Sequence, residues 1–311
     1  MRRPDRADGM LVTANVLWSL NYATTKYAFD RWNPLAFSGL RFAMAGLGMA
    51  AIVGYREGGL GVARADVPRV VLAGATGIFL NQLTFNYALD YTAAANVALI
   101  LGAAPAFTAA FVVALGHERV RPVHWIALGV SLSGVALVVQ GGSGLHGFSL
   151  KGDLLAICAG LTWAAYSVML RPLFGKYSAM RLSTLMILVG AVLMIPFSVT
   201  QLAHQNFATI GWLRWGSLGY STVFPLVVTN VLYFGALRRV GAARATLFMY
   251  LQPFLGALFA AVLLGESIAA IQIAGGVVIV GGVAFGRLGQ MRRSGVEAGA
   301  EVDIEVPAEP S

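Results

Sequence analysis

Amides, tyrosines and tryptophans recur at helical spacing inside long apolar runs of this chain. Near the N-terminus Trp18, Tyr22 and Lys26 fall one turn apart, and Gln82 and Asn86 repeat that spacing further along. Polar groups are costly in a bilayer, so a polar stripe on a helix is expected to face a partner or a substrate. Amides can hold the charged groups of a zwitterion, and rings can stack on an aromatic side chain at about 0.5–1.5 kcal/mol per pair. These residue types therefore indicate reversible binding of a small molecule.

The second half of the chain carries a similar set of polar and aromatic residues. The predicted substrate-binding residues are Trp18, Tyr22, Gln82, Asn86, Asn96, Trp163, Tyr166, Asn230, Tyr233 and Tyr250. All of them except Asn96 and Tyr250 are predicted to line one central cavity. For any single asparagine or serine, a hydrogen bond between helices is the simpler explanation.

Residues for catalysis or metal binding do not occur in suitable patterns. The 4 histidines never fall at metal-ligand spacing, and the single cysteine, Cys158, can form neither a disulfide nor a thiolate zinc site. No nucleophile or carboxylate pair stands where a membrane enzyme would need it. We therefore predict no catalytic residues, no metal and no cofactor.

Composition indicates that the solvent of this fold is lipid. Hydrophobic residues make up 58% of the 311 residues and charged residues 12%, with a mean hydropathy of +0.72. About a quarter of the residues in soluble domains are charged, and a soluble fold could not bury so much apolar surface. The net charge of +8 does not indicate nucleic-acid binding, because the basic residues stand singly between apolar runs.

Hydropathy predicts about ten membrane-spanning helices. They are expected at 10–29, 35–54, 68–89, 93–115, 122–140, 152–170, 182–201, 212–237, 242–264 and 268–286. The first run is not a cleaved signal, because polar residues interrupt it and no small-residue cleavage site follows. With the N-terminus in the cytoplasm, only Arg31, Lys151 and Arg214 fall in outside loops, so both termini are predicted to be cytoplasmic.

The chain is also a duplication. Pro105 and Pro253 lie 148 positions apart, and so do Glu118 and Glu266. Because each half holds an odd number of spans, the second copy enters the membrane from the opposite face. We predict an all-α integral membrane protein with about ten transmembrane helices, arranged as an inverted repeat of two five-helix halves. The predicted domains are a cytoplasmic N-terminus at 1–9, the first repeat at 10–145, the second repeat at 146–286 and a disordered cytoplasmic tail at 287–311.

Prolines at matched positions indicate where the helices bend. A proline inside a helix removes a backbone donor and leaves a carbonyl without its partner, which lipid tolerates only beside protein or a cavity. Pro105 and Pro253 are therefore predicted to mark the central cavity and to act as hinges. Pro225 lies opposite a stretch of the third span that is predicted to be unbroken, and it is a weaker candidate.

Charged residues are sparse inside the predicted spans. Lys26 and Arg41 lie close enough to the outer surface for their charged ends to reach it. The acidic residues, including Asp153, are predicted to lie in loops or at helix ends. We therefore expect no proton relay of the Asp/Glu kind and no strict proton requirement.

From Met10 to about Gly286 the chain resembles drug/metabolite transporters of the EamA type. The resemblance rests on the duplication, the openings WSLNYATTKYA and TWAAYSVMLRP of the two halves, Arg41-Phe42, and the paired proline breaks followed by Glu118 and Glu266. Within that family the chain is most similar to YddG-type exporters of amino acids, particularly aromatic ones. The resemblance implies a cavity lined by the first, third, fourth, sixth, eighth and ninth spans, and export of small metabolites across the bacterial inner membrane.

Two other functions stay open. A carrier of phosphorylated metabolites or nucleotide sugars would need several basic groups at the cavity, where only Lys26 and Arg41 are available. An integral membrane enzyme is the less favoured alternative. The expected partners are a small-molecule substrate (amino acids or related metabolites) and membrane lipid, without nucleic acid, and the expected state is a monomer or a weak dimer.

Overall fold

The computed structural model describes residues 6–114, 122–142, 149–233, 235–236, 239 and 248–285. Within these ranges the chain forms helices and loops and contains no strand. The predicted tail at 287–311 and Glu118 lie outside the described residues.

Ten spans can be traced through the described residues, in agreement with the all-α membrane fold predicted from hydropathy. Six of them are single helices: Arg6–Phe29 (first), Pro34–Glu57 (second), Pro122–Gly142 (fifth), Leu150–Leu170 (sixth), Ala179–Ala203 (seventh) and Ala270–Phe285 (tenth). Four are interrupted: Val67–Gly74, Ala75–Leu80 and Asn81–Tyr91 (third); Ala94–Leu101 and Ala104–Ala114 (fourth); Trp212–Val223 and Phe224–Val228 with the residues after it (eighth); and Met249–Leu251 and Gln252–Leu264 (ninth). Three helices are by themselves long and apolar enough to cross a membrane, namely Pro34–Glu57, Leu150–Leu170 and Ala179–Ala203.

Local sequence signals explain where the long helices begin and end. The Asn33 side chain accepts hydrogen bonds from the backbone N–H groups of Leu35 (2.9 Å) and Ala36 (3.4 Å), and Pro34 occupies the first helical position. The second span ends at Gly58, whose φ of 72° is accessible to glycine without strain. Ser178 caps the seventh span in the same way, since its Oγ accepts from the Arg181 N–H at 3.0 Å.

The second and seventh spans, which occupy equivalent places in the two halves, run antiparallel along their whole length. At one end the Asn33 Nδ2 donates to the Gln201 Oε1 at 3.1 Å. At the other end the Ser178 Oγ donates to the Glu57 carboxylate at 2.7 Å. Two equivalent helices that run in opposite directions are what an inverted repeat requires.

The glycine-rich faces of the fifth and tenth spans pack against each other. A Cβ placed at Gly134 would lie 2.7 Å from the Gly275 carbonyl oxygen, and a Cβ placed at Gly275 would lie 2.7 Å from the Gly134 carbonyl oxygen. Small residues allow this backbone contact, as in other membrane helix pairs. The glycines at this contact therefore serve packing within one chain.

Packing between the halves follows the duplication. The third span packs on the sixth, and the eighth packs on the first; likewise the first packs on the ninth, and the sixth packs on the fourth. The second meets the seventh, and the fourth meets the ninth. When the halves are exchanged, the first four pairings interchange and the last two map onto themselves. The spans that carry the predicted site therefore meet at the boundary between the halves.

Candidate functional site

Two π-helical segments occupy equivalent positions in the third and eighth spans. They cover Ala75–Leu80 and Phe224–Val228, and their last residues lie 148 positions apart. A π-helical turn interrupts the α-helical bonding, and such turns are frequent at functional sites. The third span, predicted to be unbroken opposite Pro225, is therefore interrupted as well, although it has no proline there.

Each π-helical segment receives an aromatic side chain from the opposite half. The Trp18 Nε1 donates to the Pro225 carbonyl at 3.0 Å. The Tyr166 ring lies so close to Gly77 that a Cβ placed at Gly77 would be 2.1 Å from it. Two of the predicted site residues thus hold the two interruptions from opposite sides of the boundary.

Several of the predicted site residues, including Trp18, form aromatic pairs. Trp18 packs on Tyr233 with ring centroids 5.4 Å apart, and Tyr22 meets Phe85 edge-on at 5.5 Å. Trp163 and Tyr166 pair within the sixth span at 5.4 Å. Trp163 is 38% exposed, whereas Tyr166 is buried.

A buried polar group, called here the Arg41 cluster, joins the first, second, third and eighth spans. Its members are Thr25, Ser38, Arg41, Gln82, Asn86 and Ser221. The Arg41 Nε donates to the Ser221 carbonyl at 2.9 Å, and the Asn86 Nδ2 donates to the Ser38 Oγ at 2.6 Å. Arg41 is only 2% exposed, so the interpretation that it reaches the outer surface is wrong.

Asn230, Tyr250 and Asn96 are arranged differently. Asn230 donates to the Leu226 carbonyl of its own span and accepts from the Ser183 Oγ of the seventh span at 3.4 Å. Tyr250 lies half-buried in the short helix before Pro253. Asn96 is fully buried away from the aromatic pairs, between Asp153 and Gln272.

Asn96 belongs to a second polar group at the junction of the third and fourth spans. This group is called here the outer cluster, because the orientation predicted from charge places the junction on the outer side. The cluster comprises Lys26, Thr92, Asn96, Asp153, Glu266 and Gln272. The Lys26 Nζ donates to the carbonyls of Leu89 (2.7 Å) and Thr92 (2.6 Å). Asp153, predicted at a helix end, is fully buried there and accepts from Thr92 and Asn96.

The fourth and ninth spans cross where both are interrupted. The fourth leaves the α-helix at Gly102 and Ala103 and resumes one residue before Pro105, and the ninth becomes α-helical one residue before Pro253. A Cβ placed at Gly102 would lie 3.1 Å from the Pro253 Cβ. Both prolines thus occupy the first turn of a helix, where a missing N–H costs no bond.

Comparison with known proteins identifies the architecture. The model of the EamA-like transporter family matches this chain twice, at residues 6–140 and 150–286. The chain belongs to the EamA-like transporter family. It is therefore a multi-pass membrane transporter and not an enzyme, and each half is one EamA repeat.

Two relatives of the chain are described as exporters. A probable terminal-alkyne amino-acid exporter of Streptantibioticus cattleyicolor is 25% identical over 277 residues, covering 88% of this chain and 90% of the relative. A probable amino-acid metabolite efflux pump of Salmonella typhimurium is 25% identical over 289 residues, covering 89% and 94%. A solved crystal structure superimposes on this chain with a TM-score of 0.63 at 23% sequence identity. The match covers 91% of this chain and 97% of the other, so the two share the fold.

The sequence did not reveal two features of the site. Arg41 and Ser221 meet through a backbone carbonyl, which carries no signal in the side-chain pattern. The π-helical turn at Ala75–Leu80 contains Gly77 but no proline, so nothing in its composition separates it from an ordinary apolar helix. Among the described residues, no group of three potential metal ligands is found.

Proposed function

We propose that this transporter exports amino acids, including aromatic ones, across the bacterial inner membrane by alternating access. The observation that carries the proposal is the set of contacts by which Trp18, Tyr166 and Arg41 hold spans of one half against interrupted spans of the other. Binding groups on the boundary between two halves can be exposed to either side of the membrane as the halves move.

The lining chemistry suits a small zwitterion with an apolar or aromatic side chain. Tyr22 and Trp18 offer ring faces and edges, while Gln82 and Asn86 offer amide groups nearby on the third span. Relatives of the transporter are described as amino-acid exporters, which supports the same substrate class.

A phosphorylated substrate fits this lining less well. A phosphate monoester carries a charge of about −1.5 to −2 and calls for several basic groups. Of the two basic residues within the spans near this boundary, Lys26 already donates to two backbone carbonyls at the end of the third span. Of these two residues, only Arg41 then remains for a phosphate, which is fewer basic groups than a phosphorylated substrate needs.

The orientation of the transporter in the membrane is inferred from its charged residues, and its location from a related protein. With both termini in the cytoplasm, the outer cluster lies at the periplasmic ends of the spans, and the described Lys176–Asp66 and Arg181–Glu57 ion pairs lie at the cytoplasmic ends. The related transporter YedA of Escherichia coli is an inner membrane protein, which supports the same location here.

The test is transport by the purified full-length protein in liposomes. Labelled phenylalanine, leucine, alanine and glucose 6-phosphate are loaded on one side, and their movement to the other side is followed over time. We expect movement of phenylalanine, competition by unlabelled aromatic amino acids and no movement of the sugar phosphate. Movement of the sugar phosphate without that of any amino acid would show that the proposed substrate class is wrong.

A further inference from the structure

Arg41 is a buried cation, and no described residue serves as its counter-ion. It lies seven residues after Pro34 in the second span, which places its Cα about 10 Å along the helix, within the hydrocarbon depth. Its side chain is 2% exposed, and among the residues that the structure describes no carboxylate forms an ion pair with it. The guanidinium carbon lies 5.5 Å from the centroid of the Phe42 ring, a contact that attracts the cation but does not neutralise it. A guanidinium stays protonated in proteins, so its charge still calls for an anion.

The hydrogen bonds that Arg41 makes with the described residues leave most of its donors unused. Of five N–H groups, the Nε donates to the Ser221 carbonyl at 2.9 Å, and an Nη1 N–H reaches the Gln82 Oε1 only at 3.5 Å. The Ser221 carbonyl lacks its helical partner because the residue four positions later is Pro225, which has no N–H. One N–H satisfies that carbonyl. The bond therefore fixes the orientation of the guanidinium. It leaves the edge formed by Nη1 and Nη2 available to a carboxylate, which can accept two parallel hydrogen bonds there.

Packing alone does not explain a cation at this position. Arg41 lies eight residues after the cap Asn33, and the residue eight positions after the equivalent cap Ser178 is Met186. Met186 is fully buried in an apolar cluster with Tyr166 and Leu182. The same position in the other half is thus filled by an apolar side chain, so the fold itself does not need the charge.

A second unsatisfied group lies beside the first. Asn86 is 1% exposed; its Nδ2 donates to the Ser38 Oγ, while its Oδ1 is buried and accepts no hydrogen bond from a described residue. Ser38 lies one turn before Arg41 on the same helix, so an unused acceptor adjoins the unused donors. A free carboxylate and an ammonium group on one carbon would complete both.

We infer that Arg41 binds the carboxylate of the transported substrate and that the Asn86 side-chain oxygen accepts from its ammonium group. The inference rests on the proposed function and assigns two groups of the substrate to two residues. The site therefore selects α-amino acids with a free carboxylate over their amides and over the corresponding amines. A single available cation also matches one carboxylate rather than a phosphate ester.

The test measures binding to the full-length protein in lipid nanodiscs, with and without added sodium chloride. The probes are L-phenylalanine, L-phenylalaninamide, phenethylamine and 3-phenylpropionate. We expect the parent to bind phenylalanine at least about tenfold more tightly than its amide, a difference of about 1.4 kcal/mol. Arg41→Gln should lose this preference, Arg41→Lys should keep a reduced one because lysine lacks the two-donor fork, and the exposed-residue control Arg31→Gln should keep it in full.

Each result decides the inference. Equal binding of the acid and the amide by the parent overturns it, and so does an undiminished preference in Arg41→Gln or, if that variant does not fold, in Arg41→Lys. Stabilisation by chloride alone, with no added effect of carboxylates, also overturns it, because the counter-ion is then inorganic. If no amino acid is transported but 3-phenylpropionate binding depends on Arg41, the proposed function fails while the carboxylate site stands.

Discussion

Arg41 and Trp18 both donate to carbonyls of the interrupted stretch around Pro225. The Arg41 Nε donates to the Ser221 carbonyl, and the Trp18 Nε1 donates to the Pro225 carbonyl. The Ser221 carbonyl has no N–H four residues later, and a carbonyl without a partner is costly in lipid, so Arg41 stabilises the interruption there. The Pro225 carbonyl also accepts from the Thr229 Oγ1 of its own span, and Trp18 adds a hydrogen bond from the other half. The interruption in turn fixes the direction of two side chains at the proposed binding site.

Replacing Pro225 with alanine tests this coupling. Alanine supplies an N–H that can bond to the Ser221 carbonyl and displace the Arg41 Nε. We expect the KM for phenylalanine to rise by about tenfold or more, in line with losing one hydrogen bond to a charged group, which is worth about 1.5–3 kcal/mol. Pro196→Ala is the matched control, since Pro196 is an exposed proline inside the seventh span. An unchanged KM in Pro225→Ala would separate the proline from the binding site.

Asp66 ties the segment before the third span to the loop before the seventh. Its carboxylate accepts from the Lys176 Nζ at 2.9 Å and from the Tyr177 hydroxyl at 2.9 Å. These hydrogen bonds and the charge of Lys176 hold the pKa of Asp66 below its usual value. A lowered pKa contributes stability that is present above the ordinary pKa and is lost as the pH falls through the lowered one.

The expected consequence is a pH-dependent effect of Asp66→Asn. At neutral pH the variant should unfold at a lower temperature than the parent, and the difference should shrink and vanish as the pH falls below the native pKa of Asp66. Thermal unfolding in detergent between neutral and acidic pH measures this. Asp30→Asn is the control, because Asp30 is 65% exposed in its pair with Arg214 and such pairs contribute little. A constant difference across the pH range would contradict the argument.

The junction between the third and fourth spans is held at two helix ends. Lys26 donates to the last carbonyls of the third span, where a cation is favourable, and Glu266 accepts from the N–H groups of Ala94 and Ala95, both at 2.9 Å, at the start of the fourth. The junction is thereby fastened to the first span on one side and to the loop before the tenth on the other. In the proposed orientation this fastening closes the outer face.

Glu266→Gln should weaken that closure. The amide keeps one acceptor but loses the charge and one of two backbone bonds, which costs about 1 kcal/mol by analogy with other caps. We expect a lower unfolding temperature and, in a background that lacks Cys158, faster labelling of Ala95→Cys from outside, because the Ala95 side chain is buried and takes no part in the outer cluster. Gln201→Ala is a control, because Gln201 binds Asn33 at the outer end without touching the junction. Unchanged labelling would show that Glu266 does not hold the face closed.

Sequence patterns predicted the membrane spans better than the buried polar contacts between the spans. The second span, for example, was expected at 35–54 and runs over Pro34–Glu57, because its apolar run and the Asn33 and Gly58 caps are local signals. The breaks near Pro105 and Pro253 were predicted for the same reason. The burial of Arg41 and Asp153 was not, because it depends on the Ser221 carbonyl and on Thr92 and Asn96, which distant parts of the chain supply.

Charge placement also bears on energy coupling. Asp153 is the buried carboxylate within the described spans, but it lies in the first turn of the sixth span and is held by Thr92 and Asn96 in the outer cluster. We therefore expect transport without a strict proton requirement. A pH gradient imposed across liposomes should not drive phenylalanine accumulation. Accumulation that an ionophore abolishes and that Asp153→Asn removes would contradict this and would make Asp153 the proton carrier.

The crossing of the fourth and ninth spans is where a movement of one half against the other has to be absorbed. Each span is interrupted there, and Gly102 lies directly against Pro253. A proline in a helix interior costs about 3 kcal/mol, so Pro105 and Pro253 keep their helices from becoming continuous across the break. The break leaves the two parts of each span able to change their angle without losing a helical bond.

Replacing either proline with alanine restores an N–H and allows the helix to extend across the break. Substrate binding should change little, while turnover should fall because the conformational step is slowed. In an inverted repeat each proline serves the gate on its own side, so Pro105→Ala and Pro253→Ala should favour opposite faces of the transporter. Labelling of introduced cysteines from each side of the membrane, with Cys158 replaced first, measures that bias. If both variants transport at the parent rate, the halves do not move about this crossing, and the prolines serve packing alone.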